Sequence, residues 1–134
     1  RSTLFPYTTL FRSSYPGYIV NTDLPYVYSA AFAFLYTSLR ESFGIPLLEA
    51  MACGTPVITS NTSSMPEIGG KNAILVNPES SDEICQALLR LETDEDYYRQ
   101  KVEVGLQRAK LFSWKYTAEQ LLSLYETVYR ENKC

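Results

Sequence analysis

The run from Thr37 to Ile58, T-S-L-R-E-S-F-G-I-P-L-L-E-A-M-A-C-G-T-P-V-I, constrains this chain more than any other stretch. It reads as the end of a buried strand, a loop carrying Glu41, a short helix carrying Glu49 and the start of another strand. Apolar residues fill most of the helix, so the pattern predicts packing on nearly every side. A carboxylate there is costly unless something hydrogen-bonds it, and a ligand with vicinal hydroxyls is the simplest partner for Glu49. Gly44 allows close backbone approach, and Pro46 removes a first-turn donor that would have been unpaired. Gly54 suits a left-handed cap after Cys53. The free N–H groups of the helix start then form a place where phosphate binds well. In an open parallel sheet, ligands sit at the carboxyl ends of strands, which is where Glu41 to Ile45 falls.

The rest of the chain repeats the alternation. Tyr15 to Val20 reads as the tail of a strand, and Asp23 as the cap of a short helix over Leu24 to Ser29. Ala31 to Ser38 predicts a fully apolar strand of a parallel sheet, and Pro56 to Thr59 the next one. The polar loop Ser60 to Ser64 leads to a short helix from Pro66 to Gly69-Gly70, and Ala73 to Val76 is a third strand. Ser80-Ser81-Asp82-Glu83 is a capping box, opening a helix to about Leu91 with Ile84, Leu88 and Leu91 inward. Asp94 caps a helix to about Leu111, and Ser113 a last one to about Arg130. In that last helix Trp114, Ala118, Leu121, Tyr125 and Val128 form an apolar stripe. Alternating strands and helices imply an α/β chain with a parallel sheet and right-handed crossovers.

Residues 1 to 13 stand apart: R-S-T-L-F-P-Y-T-T-L-F-R-S holds a near-repeat and neither a helix nor a strand period. The string resembles translated sequencing-adapter read-through and is left out of the fold reasoning; the domain is expected over 14 to 134. Removing Arg1 and Arg12 with that segment takes the net charge from −3 to −5. An acidic balance without a basic cluster argues against a nucleic-acid partner. The longest apolar run, Ala30 to Tyr36, falls far short of the ~20 residues that cross a bilayer. Cys53, Cys85 and Cys134 have no metal-ligand spacing. Cys53 and Cys85 read as small apolar side chains in reduced, cytoplasmic surroundings. The chain has no histidine, so it supplies no imidazole base.

The spacing Glu41-x7-Glu49 within E-S-F-G-I-P-L-L-E-A-M-A-C-G-T-P-V-I resembles the signature of the retaining family 4 glycosyltransferases, the GT-B-fold mannosyl- and glucosyltransferase group. The resemblance runs from about Gly17 to Tyr129 and takes in N-T-D-L-P-Y-V-Y-S-A-A, S-N-T-S-S-M-P-E and Ser113-Trp114. It implies the C-terminal part of a Rossmann-like, parallel-sheet domain that binds a nucleotide-sugar donor. A saccharide or lipid-linked acceptor would sit on a missing N-terminal domain, and peripheral membrane association of the parent is compatible with this reading. The chain terminates at Cys134 right after the last helix, as a true C-terminus would, so the missing material is expected upstream.

Under that resemblance Glu49 accepts from both ribose hydroxyls, as an ionised carboxylate does well. The N–H groups of Phe43, Gly44 and Ile45 meet the diphosphate and stabilise charge on the leaving phosphate. Glu41, the catalytic candidate, accepts from sugar hydroxyls and orients the sugar. Ser42 either joins the donor site or merely caps the helix. Taken alone, Glu41 beside Arg40 reads equally as a surface pair worth ~0–1 kcal/mol, and Glu49 as an exposed helix-edge residue. Glu67 reads as a first-turn helix carboxylate, and Trp114 as a core or interface residue. The arginine and lysine that relatives aim at the diphosphate have no counterpart, since Arg40 and Lys71 stand at the wrong places in the motif order. The fragment alone is therefore expected to be inactive. No cofactor or metal is expected beyond the donor. A nucleotide-sugar epimerase or hydrolase and a non-catalytic nucleotide-sugar-binding module remain as alternatives. Once the apolar stripe of the last helix loses the missing domain, it is expected to favour self-association.

Overall fold

The computed structural model describes residues 13 to 132, so nearly all of the adapter-like leader and Cys134 lie outside the described residues. Three short strands, β1 (Phe34–Tyr36), β2 (Val57–Ser60) and β3 (Ile74–Val76), form a parallel sheet in the order β1-β2-β3. Phe34 lies opposite Val57 and Tyr36 opposite Thr59; Ile58 lies opposite Ile74 and Ser60 opposite Val76. The helices are α1 (Leu24–Ala30), α2 (Ile45–Ala52), α3 (Met65–Gly69), α4 (Ser81–Thr93), α5 (Glu95–Ala109) and α6 (Trp114–Glu131).

All four residues of β2 are buried, because helices cover both faces of the sheet. On one face Val57 joins Tyr28, Leu47, Ala50, Met51, Met65 and Ala73. On the other, Ile58 and Val76 pack with Ala87 and Leu91 of α4. Successive strand residues point to opposite faces, which places Val57 and Ile58 in different cores. The two polar residues of β2 are each hydrogen-bonded, as burial demands. Thr59 Oγ1 donates to the Tyr36 carbonyl at 2.7 Å and Ser60 Oγ to the Ser38 carbonyl at 2.6 Å. These two bonds tie β2 to the end of β1 and to the loop that follows it.

The helix ends show which local signals succeed. Ser80, Asp94 and Ser113 cap α4, α5 and α6, each accepting the N–H three residues on. The capping box of α4 closes differently from expectation: the Glu83 carboxylate accepts from the Asn77 N–H at 2.7 Å. Gly54 takes φ +78 and completes a Schellman end to α2, with Thr55 N–H donating to the Ala50 carbonyl and Gly54 N–H to that of Met51.

Several sequence expectations need correction. Tyr15 to Val20 is not a strand; it pairs with none of the described strands, and its Val20 carbonyl instead accepts from the Asp23 N–H at 2.9 Å in the turn before α1. The strand expected over Ala31 to Ser38 is cut to Phe34–Tyr36. It is also an edge strand, with Leu35 45% exposed, so it is not fully buried. Asp23 occupies the cap position of α1 but makes no cap bond, because its backbone is already helical. Cys85 is exposed on α4, whereas Cys53 is half-buried against the first core. Finally, no residue of α6 is buried, and Trp114 is 81% exposed.

Candidate active site

The site grows out of the junction between β1 and α2. Gly44 is the N-cap of α2 with φ +91 and ψ 50, a left-handed conformation that reverses the chain into the helix. A Cβ at this position would lie 2.6 Å from Met65 Cε, so α3 packs directly against the bare backbone. No side chain caps α2, so Ser42 is not its cap; Ser42 is an exposed loop residue. Among the described residues no acceptor engages the Gly44 or Ile45 N–H. The Phe43 amide is turned to the Glu41 carboxylate, and Gly44 is buried whereas Ile45 is exposed.

Glu41 is held from several directions. Its carbonyl accepts from Ser63 Oγ at 2.7 Å and Ser64 Oγ at 2.9 Å, and its N–H lies 3.2 Å from Ser63 Oγ. Ser63 adopts φ +57, strained for a residue with a Cβ, and its bonds to Glu41 favour that geometry. On the side chain, Tyr36 Oη donates to Oε2 at 2.6 Å and the Ser42 N–H to Oε1 at 3.0 Å. The Tyr36 bond, followed by the amides, holds the Glu41 carboxyl below the usual carboxylate range. The same bond raises the Tyr36 phenol. Glu41 is therefore an ionised acceptor with a fixed direction.

Glu49 lies one turn into α2, and its surroundings overturn one expectation. The helix is not packed on every side: Leu47, Ala50 and Met51 are buried, but Ile45, Glu49 and Ala52 form an open face. Glu49 also has a protein partner, for Tyr28 Oη donates to its Oε2 at 3.1 Å. Burial first, and then this bond, pushes the Tyr28 phenol up to about 12. Glu49 and Ala52 border two cavities. One, of about 310 Å³, lies between the open face of α2 and the start of α6 at Trp114 and Thr117. The other, of about 330 Å³, lies between α1 and α2 beside Leu24, Tyr28 and Cys53.

The structure thus brings Glu41, Ser42, Phe43, Gly44, Ile45 and Glu49 to the loop and first turns of one helix. Sequence reasoning missed Tyr28, Tyr36, Ser63 and Ser64. The polar run Ser60 to Ser64 was legible only as a loop, and the tyrosines only as core or interface residues. Glu67 does occupy the first turn of α3, and Arg108 binds the Glu67 and Ile68 carbonyls. In chemical terms the site offers two carboxylates that accept hydrogen bonds, with two amides between them in the chain that no acceptor among the described residues engages. That set suits a ligand carrying both hydroxyls and an anionic group.

A family model described as "Glycosyl transferases group 1" matches residues 12–108, from before α1 almost to the end of α5. The chain is 40% identical over 112 residues to O-antigen chain mannosyltransferase B of Escherichia coli, covering 84% of this chain and 29% of that protein. It is also 40% identical over 106 residues to D-inositol 3-phosphate glycosyltransferase of Corynebacterium jeikeium, with 78% and 25% covered. The chain thus spans less than a third of the length of these relatives. Among solved structures, sucrose-phosphate synthase from Thermosynechococcus elongatus superposes with a TM-score of 0.82 at 31% identity, over 93% of this chain and 32% of that one. The C-terminal domain of a group 1 glycosyl transferase, LpcC, from Francisella tularensis gives 0.63 at 31% identity, over 71% and 50%. The parallel sheet with helices on both faces is accordingly that of a GT-B glycosyltransferase. A family match over well more than half of its length and these relatives together show that the chain belongs to the group 1 glycosyl transferases.

Proposed function

We propose that this chain is the donor-binding C-terminal part of a retaining, family 4 glycosyltransferase. The longer protein would move a hexose, mannose- or glucose-like, from a nucleotide-diphosphate sugar to a hydroxyl acceptor with the anomeric configuration kept. The observation that carries the reading is the pair of amides at Gly44 and Ile45 that no acceptor among the described residues engages, set in the chain between two carboxylates that protein hydroxyls already orient. The mannosyltransferase relative supports a hexosyl donor.

In this reading Glu49 accepts from the ribose hydroxyls. Tyr28 occupies only part of its acceptor capacity, since a carboxylate offers about four lone-pair sites. The Gly44 and Ile45 amides, at the positive end of the α2 dipole, meet the diphosphate and stabilise charge as the sugar leaves. Phe43 and Ser42 shape the loop at that point, and their amides orient Glu41. Glu41, ionised and fixed, accepts from the sugar hydroxyls and sets the face presented to the acceptor. We place the acceptor on a part of the longer protein outside this chain, so the chain alone is not expected to turn over.

The test is incubation of the longer protein with labelled nucleotide sugars, with and without sugar acceptors. Product that requires acceptor and keeps the anomeric configuration is expected. Release or rearrangement of the sugar without acceptor would point instead to a hydrolase or epimerase, and binding without any product to a non-catalytic module. In that protein, Glu49→Ala is expected to raise the donor Kd at least tenfold, and Glu41→Ala to lower kcat more than it weakens binding.

A further inference from the structure

We propose that Tyr28, Phe34 and Tyr36 form an aromatic bar whose two hydroxyl ends position the two acids, Tyr36 holding Glu41 and Tyr28 holding Glu49. The inference rests on the donor reading of those acids and adds residues that the reading itself does not use. The rings make a continuous row. Tyr28 meets Phe34 edge-on at 5.3 Å and 89°, and Phe34 stacks on Tyr36 at 5.7 Å and 15°. Both contacts lie in the range where aromatic pairs are favourable. Phe34 and Tyr36 are two apart on β1 and so share the face that α2 covers. At each end the phenol donates to one carboxylate oxygen, at 3.1 Å for Glu49 and 2.6 Å for Glu41.

The bar is itself anchored. The Tyr28 carbonyl accepts from Thr55 Oγ1 at 2.6 Å and the Tyr36 carbonyl from Thr59 Oγ1 at 2.7 Å. Both threonines are buried, at 3% and 0% exposure. Each acid is therefore connected through one tyrosine to a buried hydroxyl at or beside β2. A glutamate on an open surface samples many rotamers, and ordering it on binding costs free energy. A phenol removes that freedom while leaving the carboxylate its charge, which a lysine or arginine partner would offset. Among the described residues neither acid forms an ion pair. The groups facing Glu41 are Tyr36 and the Ser42 and Phe43 amides; Tyr28, which faces Glu49, also lies near Cys53 and Tyr36.

The experiment follows this chain by NMR with carbon-13-labelled glutamate carboxyls through an acid titration, and measures GDP-mannose or UDP-glucose binding to the longer protein carrying the same substitutions. Tyr36→Phe keeps the ring and removes only the hydroxyl. It is expected to raise the Glu41 titration toward the usual carboxylate range. It should also weaken nucleotide-sugar binding by about tenfold, the scale of one charge-assisted hydrogen bond. Tyr28→Phe should weaken binding to a similar degree without moving the Glu41 titration. Phe34→Leu keeps both hydroxyls and breaks the row, and should weaken binding as well. A Tyr36→Phe variant with an unchanged Glu41 titration, or with unchanged affinity, overturns the proposal. An unsubstituted longer protein that binds neither nucleotide sugar overturns the donor reading and with it the positioning role. The titration in Tyr36→Phe would then still show whether the contact exists, so the two failures are distinguishable.

Discussion

Replacing Gly44 by alanine gives a measurable separation between backbone strain and steric overlap at the head of the site. The first contribution is conformational. Gly44 sits at φ +91, where an L residue is disfavoured by about 1–2 kcal/mol. The second is contact: the new Cβ would lie 2.6 Å from Met65 Cε and 3.4 Å from Met65 Sδ. Met65 is 0% exposed and has no surface to retreat to. Its thioether end is flexible, so the overlap is expected to add about 1–2 kcal/mol, the lower part of the range for overpacked cores. The sum, about 2–4 kcal/mol, is a large share of the ~5–15 kcal/mol that holds a domain folded. Gly54→Ala provides the control, because Gly54 has φ +78 but its Cβ would meet only Val102 Cγ1 at an ordinary 3.7 Å. That variant should lose the conformational part alone, about 1–2 kcal/mol. Equilibrium urea unfolding followed by far-UV circular dichroism reads both. In a Met65→Ala background the Gly44→Ala penalty should shrink toward the Gly54→Ala value, since the two sites are in contact and couple. A Gly44→Ala loss no greater than that of Gly54→Ala would refute the claim that α3 packs on the bare backbone of the loop.

Other predictions follow from the same structure. Ser80→Ala and Asp94→Ala each remove a cap bond and should cost about 1 kcal/mol in thermal unfolding, whereas Asp23→Ala, which loses none, should stay within about 0.5 kcal/mol. The Glu41 carboxyl lies below its ordinary range when folded, so its contribution to stability is present above that range and vanishes as pH falls through the depressed value. The stability gap between the parent chain and Tyr36→Phe should therefore be open at neutral pH and close in acid, read as urea midpoints across the pH series. The exposed stripe Trp114, Leu121, Tyr125 and Val128 on α6 should make the chain self-associate. Elution from a sizing column should then shift on dilution, and a monomer peak independent of concentration would count against it.

What the sequence disclosed depended on how local each determinant was. The caps at Ser80, Asp94 and Ser113 act over three residues and could be read directly, as could the Gly54 end of α2. The parallel sheet was legible from alternation, because a buried run such as Val57 to Ser60 needs helices on both sides. The edge position of β1 was not, for Phe34–Tyr36 is exposed or covered according to which strands stand beside it. The fate of Tyr15 to Val20 depended on the same thing. Glu49 shows the other limit. Apolar neighbours along α2 suggested full burial, yet one face stays open because nothing among the described residues packs flush on Ile45 and Ala52. Its partner Tyr28 is 21 residues away in sequence, and the partners of the Glu41 backbone, Ser63 and Ser64, lie 22 and 23 away. Pairings of that kind are set by tertiary packing and leave no periodic trace.

The central claim is tested most directly by the structure of the longer protein bound to its nucleotide-diphosphate sugar. The diphosphate should lie against the Gly44 and Ile45 amides, with the ribose on Glu49 and the hexose on Glu41. A donor bound elsewhere, with Glu41 and Glu49 still joined only to their tyrosines, would contradict the account.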